Sequence, residues 1–236
     1  MEDEPLTLSP AELAVVFQHL IGRDAASQHL LSADMDFDES ELEAARRSLI
    51  ERGLLIANPR RSDTALAFSL EPVLRTITRP AALGILQVSR PGLPARTINI
   101  SWAEGNTVAN WIDETGRHVI EPLASVREVG EAAVGWTAIG SFTPRRGGEA
   151  IDPESVVRLA RQRAVFMAVG GVLEDEQHAQ AVSWITGDDA LWLIDGRRAG
   201  SEPALVSVSA SDVAEAVRSL MEGAVADATE RAASLA

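Results

Sequence analysis

An internal repeat limits the folds open to this chain more than any motif does. Ser101-Trp102 with Gly105 and Ile112-Asp113 recurs as Ser183-Trp184 with Gly187 and Ile194-Asp195, each position displaced by 82 residues. Downstream, Ser125-x-x-Glu128-Val129-x-Glu131-Ala132 recurs as Ser209-x-x-Asp212-Val213-x-Glu215-Ala216, displaced by 84. Two ungapped matches in the same order, separated by one small insertion, point to two similar halves. The period exceeds that of a solenoid repeat and indicates a duplicated sub-domain.

Element by element, the halves read alike. In the first, Leu83 to Val88 is expected as a strand. Arg96 to Ala103 is a second, with Ile98, Ile100 and Trp102 alternating. Gly105-Asn106 turns into Thr107 to Asp113, and Thr115-Gly116 turns again into Val119 to Leu123. Ser125 and Glu128 have the spacing of a capping box at a helix start. In the second half, Asp152-Pro153 opens a helix to about Arg163, and Val165 to Val169 repeats the first strand. Ala179 to Ile185 and Ala190 to Asp195 repeat the hairpin, Ala204 to Val208 is the last strand, and Ser211 to about Ala228 the last helix. Pro144 to Gly148 reads as the linker between halves.

Ahead of the repeat lies a helical segment. Ser9 caps and Pro10 starts a helix over 8–21, with Leu13, Val16, Phe17 and Leu20 on one side. A second helix covers 39–53, with Leu42, Ala45 and Leu49 on one face and Gly53 as the stop. Leu54 to Ile56 is extended. A third helix is expected over 64–78, broken or kinked at Pro72. The fold class is therefore α+β: an N-terminal helical segment (1–63), then two quasi-symmetric halves (64–143 and 149–236) of antiparallel strands flanked by helices. The halves share a central sheet and form one compact unit.

Composition narrows the chemistry. The formal charge is −14, which repels polyanions and disfavours nucleic acid. With 46% apolar residues the chain has the balance of a globular protein. There is no Cys and no Lys, so all 21 basic residues are Arg. That removes disulfides, thiolate nucleophiles, Schiff bases and a P-loop lysine. The acidic N-terminus, Met1 to Glu4, has no secretory signature, and Ala164 to Leu173 is about half a membrane span. The expectation is a cytoplasmic protein.

Candidate chemistry competes with plainer readings throughout. Asp34-x-Asp36-x-Asp38 resembles the start of a calcium loop, but Glu39 stands where Gly is needed and Ala45 where a bidentate Glu is needed. The plainer reading is an acidic lead-in to a helix N-terminus. The helix at 41–52 carries Arg46, Arg47 and Arg52 and is followed by Gly53 and an apolar strand, as in a winged helix. The same helix carries Glu39, Glu41, Glu43 and Glu51, so an ordinary helix with a Glu43–Arg47 pair is the alternative. His19, His29, His118 and His178 lack metal spacing and read as surface or cap residues. Gly170-Gly171 lacks a dinucleotide fingerprint and reads as a turn. No cofactor, metal or catalytic residue is expected, and no enzymatic activity.

The paired Trp102 and Trp184 read as shared core rather than as ligand-stacking residues. By alternation Ile112, Ile194 and Trp192 face inward. Trp111, Leu191 and Leu193 then lie on the other sheet face and are the candidate partner-binding residues. Either the chain's own helices or a partner covers that face.

The order of these elements resembles the EspG-type secretion-associated chaperones of type VII (ESX) secretion. The resemblance rests on the Pro10 to Leu13 helix, then Ala44-Arg46-Leu49-Arg52-Gly53-Leu54, then an apolar helix ending Leu74-Arg75-Thr76-Ile77 before Pro80, and a Leu83 to Leu86 strand. Ala164 to Ala224 is similar to that family's C-terminal half. The resemblance implies a non-enzymatic cytosolic chaperone or adaptor that covers an apolar helical tip of PE/PPE-like heterodimers. The alternative is a winged-helix-like DNA-binding regulator with a duplicated effector domain.

Overall fold

The computed structural model describes residues 5–22, 37–57, 64–67, 70–139, 160–170, 179–188, 190–195 and 204–234. Eleven strands and five α-helices lie within them. The strands are β1 (Leu6–Leu8), β2 (Leu55–Ala57), β3 (Thr64–Leu66), β4 (Ala82–Ser89), β5 (Arg96–Ala103), β6 (Asn106–Ile112), β7 (His118–Leu123), β8 (Gln162–Gly170), β9 (Gln180–Thr186), β10 (Leu191–Asp195) and β11 (Ala204–Ser207). The helices are α1 (Pro10–Ile21), α2 (Glu39–Glu51), α3 (Glu71–Thr78), α4 (Val129–Thr137) and α5 (Ala210–Ser234).

Nine strands form one antiparallel sheet in the order β1-β7-β6-β5-β4-β8-β9-β10-β11. Apart from β1, this order reads the same from both ends. The register shows why. Ile85 of β4 stands opposite Met167 of β8. Moving 82 residues on from Ile85 reaches Met167 itself, so the repeat places these two at equivalent positions. A pseudo-twofold axis therefore passes between them. It exchanges β4 with β8, β5 with β9, β6 with β10 and β7 with β11.

The helices obey the same axis. Helices α4 and α5 cross on one face of the sheet, and a Cβ built on Gly130 would collide with the carbonyl oxygen of Ala214. Gly130 and Ala214 are themselves equivalent at the 84-residue offset. Glycine is required here because the two backbones touch. Beneath the crossing the symmetry breaks by size. Gly84 and Phe166 are equivalent positions, and a Cβ on Gly84 would lie 2.9 Å from the Phe166 ring. One half gives up a side chain so that the other can place a fully buried Phe near the axis.

Three clusters hold the layers together. The largest lies between the sheet and α4/α5, with Leu86, Ile98, Ile100, Phe166, Trp184 and Leu191 under Val129, Val213, Val217 and Met221. Each such side chain contributes roughly 1.5–3 kcal/mol relative to exposure. On the reverse face of the first half, Leu8, Val108 and Ile120 pack under α1, α2 and α3. On the reverse face of the second half, Ile185, Ala190 and Trp192 form a smaller cluster with Ile194 and Leu205.

Several expectations change. Residues 64–66 are not helical. They are β3, which pairs with β2 so that Leu66 faces Leu55. Pro72 sits in the first turn of α3, where its missing N–H costs nothing, and starts the helix rather than breaking it. Gln162 and Arg163 are strand, extending β8 to pair with β4 and β9. The tight turn before β6 is Glu104-Gly105, both with positive φ, and Asn106 already pairs with Ala103. Ser125 makes no capping bond, and a single 3₁₀ turn over Val126–Glu128 intervenes. Glu128 instead accepts from the Ala124 N–H at 3.0 Å. The equivalent Ser209–Asp212 box does form, with Asp212 accepting from the Ser209 N–H at 2.8 Å. Gly170 ends β8 and lets it approach the Ala224 carbonyl of α5, so it serves packing and not a turn. The linker at 144–148, the Asp152 helix start, Asp34, Asp36, His29 and His178 lie outside the described residues.

The crossing yields a pair of opposite expectations. Gly130→Ala should destabilise by about 1–3 kcal/mol, because the helices must separate. Gly135→Ala, in the same helix with nothing within 4 Å of the new methyl, should stabilise by about 0.5–1 kcal/mol. Urea denaturation of both variants reads the signs, and equal losses would contradict the close approach.

Candidate functional site

Two regions carry the residues that sequence reasoning singled out. The first is the N-terminal layer with its arginine helix. Ser9 and Glu12 form a complete capping box on α1, and Asp38 and Glu41 do the same on α2. Asp38 is thereby committed to the helix N-terminus, which fits the plainer reading of the acidic run. Glu12 is buried at 4% exposure, yet every bond it needs is present. It accepts from the Ser9 N–H at 2.7 Å, from Ser48 Oγ at 2.8 Å and from Arg52 at 2.8 Å. Burial pushes the Glu12 carboxyl up, but these bonds and the Arg52 charge outweigh it and hold the carboxyl below its ordinary value.

Arg52 also donates to the Thr7 carbonyl at 2.7 Å, so it ties α2 to α1 and to β1 at the sheet edge. A guanidinium used in this way is not presented to a phosphate backbone. Arg46 pairs with Glu43 at 2.6 Å, three residues away, rather than Arg47 pairing four away. The wing-like β2–β3 hairpin does follow α2, but two of the three arginines of that helix are spent on carboxylates.

The second region is one end of the first half. Parity grouped Trp111, Leu191 and Leu193 on the face away from Ile98, Ile100 and Trp184; the structure keeps the three together but places them on that same core face. Trp111 stands opposite Ile98 and Leu193 opposite Trp184, and cross-strand partners share a face. That face is the one under α4 and α5, so the chain's own helices cover it. Leu191 is fully buried in the main cluster and Leu193 is half-buried against it, which removes Leu191 from any partner surface. The same register corrects Ile112. It points to the reverse face and is 56% exposed, whereas Trp192, also on the reverse face of its half, is buried in the smaller cluster. Trp184 is fully buried and Trp102 half-buried in the shared core.

Trp111 stays at the rim. Its ring lies 5.9 Å from that of Trp136 at 54°, and the Arg96 guanidinium sits 5.2 Å from its centroid. Trp136 Nε1 donates to Glu121 at 3.3 Å. Around these lies a groove of about 630 Å³ between the β4–β5 turn, the end of β6 and the end of α4, lined by Arg90, Leu93, Arg96, Ile112, Glu114 and the two indoles, among others. Leu93 is 61% exposed. Sequence reasoning found Trp111 but missed Arg90, Leu93, Arg96 and Trp136. A Pro-Gly-Leu-Pro turn between two arginines was the available signal.

His118 differs from the surface reading. It is 1% exposed, opposite Leu8 of β1, with neither ring nitrogen bonded, and burial pushes its pKa down while Asp113 opposes. Among the described residues no group of three His, Cys, Asp or Glu could hold a metal ion, and no helix is long and apolar enough to cross a membrane.

No protein-family model matches the chain, and no curated protein matches it. Among solved structures the fold is similar to that of the Mycobacterium tuberculosis type VII secretion system chaperone EspG5, solved in complex with a PE25–PPE41 dimer. The TM-score is 0.60, over 92% of this chain and 95% of that chain, at 8% sequence identity. The α+β architecture expected from the resemblance is therefore the one found, and at this identity the likeness establishes the fold.

The Glu12 lock makes a prediction with a sign. Because the folded carboxyl titrates below its unfolded value, its stabilisation is present above the unfolded pKa and is lost as pH falls through the folded one. Arg52→Met should cost about 2–3 kcal/mol at pH 7, less than the ~3–5 of a fully buried pair because Arg52 is one-third exposed. The variant should also lose less stability on acidification than the parent. Adding Glu12→Gln should restore part of the loss. An Arg52→Met variant as stable as the parent would show that the pair does not hold the layer.

Proposed function

We propose that this protein is a non-enzymatic chaperone or adaptor that acts in the cytoplasm and holds a helical secretion substrate of the PE/PPE kind. The observation that carries the reading is the fold shared with EspG5 along nearly the whole of both chains, since that structure holds a PE25–PPE41 dimer. The surface gives local support. The first half leaves an apolar-rimmed groove open at one end, with Leu93 and Ile112 both more than half exposed. The alternative of a DNA-binding regulator loses support, because Arg52 is bound to Glu12 and Thr7 and Arg46 to Glu43.

Co-expression with PE–PPE heterodimers encoded in the same genome tests the reading. The expected result is a stoichiometric complex that survives size-exclusion chromatography and keeps the heterodimer soluble. Failure to bind any such heterodimer, together with salt-dependent binding to duplex DNA that Arg46→Glu with Arg47→Glu abolishes, would replace it with the regulator reading.

A further inference from the structure

The groove at the end of the first half has a feature that packing does not require. Two guanidiniums, Arg90 and Arg96, line it in a protein of net charge −14. Arg90 is fixed from below: its Nε donates to the buried Gln162 at 2.8 Å, and Gln162 donates to the Thr137 carbonyl at 2.8 Å. Arg96 is fixed from the side by the Trp111 ring. Partial burial and the like charge of Arg90 both push the Arg96 pKa down, and Glu114 only partly offsets them. Among the described residues, no carboxylate lies within ion-pair distance of either guanidinium. Asp113, also on the groove, is taken up by its own turn, accepting from Thr115 N–H, Thr115 Oγ1 and Arg117 N–H. Two held, mutually repelling cations on an open groove form a site that an anion stabilises.

The duplication shows what the plain version of this place contains. The positions equivalent to Trp111 and Trp136 are Leu193 and Leu220, and Leu220 is buried. In the second half aliphatic side chains stand at these two positions. In the first, indoles stand half-exposed beside Arg96, with Leu93 and Ile112 at the rim.

We infer that this groove binds an extended or helix-terminal segment of a protein partner in which an Asp or Glu carboxylate sits beside a bulky apolar side chain. The carboxylate bridges Arg90 and Arg96, and the apolar group lies on Trp111, Trp136 and Leu93. A peptide fits better than a small metabolite, because the apolar rim is open and its outermost members face solvent. The inference rests on the adaptor reading only in that the ligand is a protein.

Selection of a random twelve-residue display library on the full chain tests it. The expected outcome is enrichment of peptides that pair Asp or Glu with Leu, Ile, Phe or Trp. A selected synthetic peptide should change the tryptophan fluorescence. Its affinity should fall at least tenfold for R90Q/R96Q and for L93D, and for the peptide with its carboxylates replaced by amides. Arg47→Gln, an exposed arginine outside the groove, should leave it unchanged, and circular dichroism confirms that each variant is folded. No enrichment, enriched peptides without carboxylates, or equal binding to R90Q/R96Q would overturn the inference. A PE–PPE heterodimer held with unchanged affinity by R90Q/R96Q would overturn this groove and leave the adaptor function standing. Acidic peptides bound here in a protein that binds no heterodimer would do the reverse.

Discussion

The contact between Gly130 of α4 and the Ala214 carbonyl of α5 leaves no room for a side chain, and the rest of the structure is arranged on it. It lies at the pseudo-twofold axis, on the same face of the sheet as the buried Phe166 near the Ile85–Met167 pair. Because the helices meet backbone to backbone, they sit low enough to cover the central strands of both halves at once. Among the described residues each half supplies one helix to that face, so neither helix alone covers it. The halves are therefore joined through one core and one sheet.

On that symmetric base the N-terminal layer is added to one side only. It packs on the reverse face of the first half through an apolar cluster, and the buried Glu12 carboxylate ties α1 to Ser48 of α2 and, through Arg52, to β1. This addition makes the two halves unlike, and the first half is also where the open groove lies.

Much of the sheet was legible because local chemistry and tertiary packing agree there. The β5 strand runs over Arg96–Ala103 as its alternation predicts, and Ser9 and Gly53 act as start and stop of their helices. The misreadings of Ile112 and of residues 64–66 both come from tertiary context. In β6, Val108 is buried under α1–α3 while Ala109 is buried under α4 and α5, so both faces are apolar and alternation cannot say which way Ile112 points. The short β3 failed similarly: Leu66 falls at helical spacing from Leu70 and Val73, but its partner is Leu55 across a hairpin. Trp111 was legible as a candidate, whereas Arg90, Arg96 and Trp136 join it only through the folding of β4, β5 and α4 around one end.

Amide hydrogen exchange under native conditions tests most directly whether the two halves are one cooperative unit. The slowest amides of β4 and β8 should exchange with the same free energy as those of α4 and α5 around Gly130 and Ala214, through global unfolding alone. Loss of protection across β8 to β11 and α5 while β4 to β7 stay protected would show that the halves open independently, and would contradict the account.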